Sequence, residues 1–151
     1  MDRNHTYHAS RVINAPLKFV YNWRTDFRED DNKIVGSRTR RIILHKTKRR
    51  VIFMSTQRRR GKTINAVRIV TLHPPDYWHL DKVGQENDEI GDYHLTRLGP
   101  RKTRLDMAFK AKYKIANAPT KDEDTKQTNR VWNRYTTALE KDYARTRRNA
   151  E

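Results

Sequence analysis

Cysteine is absent from the 151 residues, which excludes disulfides, zinc–thiolate centres and thiol nucleophiles. No window approaches the ~20 apolar residues of a membrane-spanning helix. The opening MDRNHTYHAS lacks the apolar core of a secretory signal. These absences predict a soluble, cytoplasmic protein with no transmembrane segment. Apolar residues are also scarce, at 34%, where globular domains have about 45–50% with glycine counted. Scarcity of this kind with high charge can mark disorder. Here, however, the apolar residues fall in regular patterns and fourteen are aromatic. The expectation is one folded, monomeric domain spanning 1–151, with a modest core and a highly charged surface.

Acidic residues are missing from one long stretch. Between Asn32 and Pro75 there are thirteen Lys and Arg and no Asp or Glu, so this segment carries +13 of the formal charge of +16. Such a block attracts phosphate, whether of nucleic acid or of an anionic lipid surface. It serves equally well as a solvated face. Arg38, Arg40, Arg58 and Arg68, with Arg59 and Arg60 in the turn RRRGK, are the candidate anion-binding residues. The arginine runs have no interleaved aromatics on which bases would stack, so any contact would be phosphate-directed and sequence-indifferent.

The patterned part begins with HTYHASRVIN, which alternates and reads as a strand. Ala15-Pro16 ends it and opens a helix, with Asn14 as the better capping side chain. In INAPLKFVYNWRTDF, Leu17, Val20, Tyr21 and Arg24 share one face, and Phe19, Trp23 and Phe27 form another. REDDNKIVG gives a short second helical turn. Six strands are then expected, over 38–46, 51–59, 63–73, 77–85, 92–98 and 104–115, with ENDEIG as the turn before the fifth. In the last, RLDMAFKAKYKI, Leu105, Met107, Phe109, Ala111, Tyr113 and Ile115 point one way and charged residues the other, as in an antiparallel strand with one wet face. Thr120 begins a final helix with acids in its first turn and arginines in its last, matching the helix dipole. Its apolar stripe is Val131, Trp132, Tyr135, Ala138, Leu139 and Tyr143.

This order resembles the START-like (SRPBCC) superfamily, which includes the birch-pollen allergen fold, polyketide cyclases and lipid-transfer-like proteins. SRVINAPLKFVYNWRTDF is similar to its opening strand–helix step, VTLHPPDYW to its proline-centred connection, and LGPRKTRLDMAFKAKYK to its final hairpin. The resemblance covers roughly Tyr7 to Arg147. It implies an α+β helix-grip fold: a curved seven-stranded antiparallel sheet around a long C-terminal helix, with two short helices after the first strand. It also implies a cavity for a hydrophobic or amphipathic small molecule, such as a lipid or polyketide. The elements expected to surround that cavity carry Trp23, Phe53, Trp78, Met107, Phe109, Tyr113, Trp132, Tyr135 and Leu139.

No catalytic motif stands out, and no metal site or cofactor is called for. His79 and Asp81, beside Tyr77, share one strand face, and His94 belongs to the neighbouring strand. They are the only acid–base candidates, and a one-residue slip in register would decide whether they enter the cavity. His5 and His8 read as surface residues. The leading expectation is therefore ligand binding, possibly transport, with no activity assigned. The alternatives are nucleic-acid or anionic-surface binding through the basic segment, and cyclase or hydrolase chemistry in the cavity.

Overall fold

The computed structural model describes residues 3–34 and 38–150. The basic segment therefore includes three positions, 35–37, outside the described residues. β1 (Arg3–Ile13) leads to α1 (Leu17–Thr25) and a single 3-10 turn (Asp31–Lys33). The chain then forms β2 (Arg40–Lys46), β3 (Arg50–Arg59), β4 (Lys62–His73), β5 (Tyr77–Gly84), β6 (Asn87–Gly99) and β7 (Lys102–Tyr113). α2 (Lys121–Ala150) closes it. All neighbours are antiparallel, in the order β1-β7-β6-β5-β4-β3-β2. This is the expected α+β helix-grip architecture, except that the second short helix is only the 3-10 turn.

Local chemistry accounts for the boundaries. α1 starts after Pro16, whose side chain makes no cap. Asn14 does not cap it either: its backbone N–H is taken by Glu140 Oε2 at 2.9 Å, tying the β1–α1 corner to α2. At the start of α2, Thr120 Oγ1 accepts from the Glu123 N–H at 3.2 Å, and Glu123 Oε1 accepts from the Thr120 N–H at 3.3 Å. That is a capping box, with two orphan donors satisfied reciprocally. Between β3 and β4, Arg60 and Gly61 both have positive φ, 52° and 75°, the geometry a two-residue hairpin turn requires.

The largest departure from expectation is β6. ENDEIG does not form a turn there; β6 begins at Asn87 and runs through it. Two of the residues that looked turn-like have partners inside. Asn87 Oδ1 accepts from Lys82 Nζ at 2.7 Å, and Glu89 accepts from the Tyr7 hydroxyl. Gly91 lies so close beneath Phe109 that a Cβ there would come within 3.1 Å of its ring. Polarity satisfied across the concave face, rather than local turn chemistry, decided this segment.

The core lies between that concave face and α2. Ile13, Val51, Val70, Trp78, Leu105, Met107, Phe109 and Ala111 point into it from the strands, and Trp132, Tyr135 and Leu139 from the helix. The opening aromatic segment divides its work. Val20 and Tyr21 are buried, Tyr21 edge-on to Trp78. Phe27 packs on Phe53. Phe19 and Trp23 turn toward the far end of α2, where Phe19 meets Tyr143 and Trp23 Nε1 donates to Asp142 at 2.8 Å.

Candidate ligand cavity

Between sheet and helix a cavity of about 680 Å³ remains unfilled. Alternation along each strand decides what enters it. From β3 come Phe53 and Ser55, from β4 Ala66, Arg68 and Val70, and from β5 Trp78, Leu80 and Lys82. β6 supplies Glu89 and Tyr93, and β7 Phe109 and Tyr113. α2 closes the other side with Val131, Trp132 and Tyr135. Six of the nine sequence candidates therefore line it: Phe53, Trp78, Phe109, Tyr113, Trp132 and Tyr135. The other three do not. Met107 and Leu139 are core residues with no free surface toward the space. Trp23 lines a second, smaller cavity of about 420 Å³ beside α1, along with Phe19 and Asp142.

The rings are ordered by contact with one another. Trp78 stacks on Tyr93 at 5.0 Å between centroids, and Phe109 stacks on Tyr7 at 4.8 Å and meets Tyr93 edge-on. Tyr93 also faces Trp132, which leans on Tyr135. Burial raises the Tyr93 hydroxyl well above its ordinary pKa, so it stays protonated.

Among these rings sits a charged row the sequence reading missed. Phe53, Arg68, Lys82 and Glu89 are successive register partners on β3, β4, β5 and β6, all facing inward. Arg68 donates to Ser55 Oγ, and burial lowers its pKa. Lys82 is pulled down to about 8, first by burial and then by Arg68 beside it. Near pH 8 it is thus a mixture of amine and ammonium, able to give or take a proton inside the cavity. At one end Tyr7 donates to Glu89, and Tyr113 donates to Asp124, whose Oδ2 also lies 2.6 Å from His5 Nε2. Burial and the adjacent carboxylates hold both tyrosine hydroxyls protonated. His5 is thus enclosed by this cluster instead of lying at the surface, whereas His8 is exposed. At the other end Arg41 pairs with Asp31 at 2.7 Å and lies over Phe53 at 4.4 Å.

The acid–base candidates belong to the opposite face. Because Trp78, Leu80 and Lys82 point inward, Tyr77, His79 and Asp81 must point outward. Register pairs His79 with Asp92 and Tyr77 with His94, so His94 is on the convex side too. Asp92 accepts from Tyr77 and lies 2.7 Å from His79 Nδ1, while Asp81 lies 3.2 Å from Nε2. Burial opposes the imidazolium, but the two carboxylates outweigh it and raise the His79 pKa. Desolvation and the same hydrogen bond push Tyr77 up to about 12. The set is paired and faces solvent, so His79, Asp81 and His94 do not serve the cavity. Among the described residues no group of three or more metal-ligating side chains is assembled, and no helix is long and apolar enough to cross a membrane.

The expected arginine stripe divides in the same way. Arg38, Arg40, Arg58 and Arg60 are exposed. Arg68 departs from the stripe because Ala66, Arg68 and Val70 share the concave parity of β4. Arg59 stands at the cavity rim and pairs with Glu86 at 3.2 Å. The inward position of Lys82 was readable from WHLDK, where Trp78 and Leu80 fix the parity. Arg68 had no such signal, since both alternating sets of β4 mix apolar and polar residues.

Taken together, the seven-stranded sheet, the long gripping helix and the cavity between them are those of the START-like helix-grip fold. Solved structures with this architecture include the ZhuI aromatase/cyclase of Streptomyces sp. R1128, with a TM-score of 0.71, 14% identity and 95% of both chains covered. A Thermus thermophilus protein superposes with a TM-score of 0.75 at 12% identity, over 89% of this chain and 97% of that one. A START superfamily protein of Mycobacterium smegmatis gives 0.66 at 15% identity, over 94% and 99%. No protein-family model matches the sequence, and no curated protein does.

Proposed function

We propose that the protein binds a hydrophobic or amphipathic small molecule, of lipid or polyketide size, between the sheet and α2. The observation that carries this is the cavity itself. Its volume of about 680 Å³ falls within the range of small-molecule sites, roughly 300–1,000 Å³. Its walls combine stacked rings with a comparable share of polar and charged groups, Arg41, Arg68, Lys82 and Glu89 among them. Binding and carriage require nothing more, and His79, Asp81 and His94 lie on the convex side, away from the cavity. Native mass spectrometry of protein purified from cells tests the reading. A bound small-molecule increment that disappears on denaturation supports it. A bare polypeptide that also takes up no apolar probe contradicts it.

A second reading is supported by the exposed cations Arg40, Arg58, Arg60 and Lys62, with Lys48, Arg49 and Arg50 at the opposite hairpin end. They would give weak, sequence-indifferent contact with nucleic acid or anionic lipid. If about four phosphates are neutralised, the logarithm of affinity falls against that of salt with a slope near −3 to −4. Binding indifferent to salt, or unaffected by reversing Arg58, Arg59 and Arg60 to Glu, would leave these residues as a solubilising surface.

A further inference from the structure

The arginine end of the cavity holds more positive charge than the protein neutralises. Arg24, Arg41 and Arg68 all line it. Arg41 has Asp31. Among the described residues no carboxylate lies within ion-pair distance of Arg24 or Arg68, and Arg68 is satisfied only by a serine hydroxyl. Arg24 instead stands over three rings, 4.5 Å from Tyr135, 5.1 Å from Trp132 and 5.4 Å from Phe27, and its Nε is buried without a hydrogen-bond partner. Aromatic faces attract a cation but leave its charge in place. The strain is mutual: burial and then Arg24 lower the Arg41 pKa, while burial lowers that of Arg68, with Glu89 opposing and Arg41 adding to the effect. Removing charge from water without a counter-charge is costly. The far end is of opposite character, with Glu89 and Asp124 held by tyrosines.

We propose that the ligand is an amphipathic anion whose carboxylate or similar oxyanion seats among Arg24, Arg41 and Arg68, with its apolar body lying along Phe53, Trp78 and Phe109. The planar guanidinium fork suits such a head group, since it can present two parallel N–H donors to two oxygens. The acidic far end repels the head, so the orientation is set as well as the charge. This inference rests on the small-molecule reading above and adds the sign of the ligand to it.

Two fluorescent probes separate the two claims. Anilinonaphthalene sulfonate and uncharged phenyl-naphthylamine share a ring system and differ in the sulfonate. The wild-type protein should bind the sulfonate about tenfold or more tightly than the neutral probe. The double variant Arg24→Met, Arg68→Met should lose about that preference while still binding the neutral probe. The surface control Arg58→Met, Arg60→Met should change neither affinity. Equal wild-type affinity for both probes, or a preference that survives in the double variant, overturns the anion inference and leaves the cavity reading standing. Failure of both probes to bind wild-type protein overturns the cavity reading itself. If the double variant does not fold, as checked by circular dichroism, the wild-type ratio decides.

Discussion

The concave and convex faces of this sheet receive alternate residues of the same strands, yet they treat charge in opposite ways. On the convex face several charges are paired locally, although Arg40 and Arg58 stand exposed. Asp106 accepts from Ser10 and from Arg104, Lys114 lies 2.8 Å from Asp88, and His79 stands between Asp81 and Asp92. On the concave face Arg68 and Lys82 are neighbours of like sign among aromatic rings, with a serine and an asparagine for partners. The difference teaches that residue type alone does not mark a binding site here. Parity along the strand does, because it decides whether a cation faces solvent or the ring-lined space beneath α2.

The largest break in the comparison should come from the aromatic lining. Phe109→Ala removes a buried ring from the concave side of β7 and should cost about 3–5 kcal/mol in denaturant unfolding. Lys110→Ala, one residue away on the convex side, should stay within about 0.5 kcal/mol. Comparable losses would mean that the faces are misassigned.

Removing a concave cation should act in the other direction. Arg68→Met relieves a desolvated charge that no carboxylate neutralises, and should stabilise the ligand-free protein by about 1 kcal/mol or more. Arg104→Met on the convex face has a carboxylate partner near solvent and should change stability by less than about 1 kcal/mol. A marked loss for Arg68→Met would show that the guanidinium supports the fold rather than the site.

Much of this layout was legible in the sequence. The period-2 run from Leu105 to Tyr113 and the helical stripe from Val131 to Tyr143 both locate the core, and four lining residues, Phe109, Tyr113, Trp132 and Tyr135, follow from them. What stayed hidden is the polar half of the cavity. Glu89 lies in a stretch rich in turn-forming residues, and its strand is fixed by pairing with β5 and β7 and by the Tyr7 hydroxyl, all remote from that stretch's own local pattern. Arg68 sits in a segment whose basic composition suggested an outer surface. Met107, Leu139 and Trp23 do not line this cavity although their elements border it, because hydrophobic patterning distinguishes inside from outside, not a filled core from a lined space.

Titration gives a smaller contrast of opposite sign. Lys82 has a folded pKa of about 8, against an unperturbed value near 10.4. Between those limits the unfolded chain binds the extra proton, so its contribution should make stability rise with pH, and Lys82→Met should flatten that rise. His79 is raised instead. Its contribution is fully present below about pH 6.5 and is lost as pH climbs through the folded value. With His79 27% exposed, that contribution should not exceed about 1 kcal/mol. Denaturant midpoints of His79→Gln against wild type, measured across this range, check it.

The central claim is that the concave space receives a ligand and the convex surface does not. Uptake of phenyl-naphthylamine by two tryptophan variants of β5 tests it most directly. Leu80→Trp places a large ring inside the cavity, whereas Val83→Trp adds the same ring to a position 60% exposed on the other face. With both variants folded by circular dichroism, Leu80→Trp should weaken uptake about tenfold or more while Val83→Trp leaves it unchanged. Equal uptake by the two, or loss confined to Val83→Trp, would contradict the account.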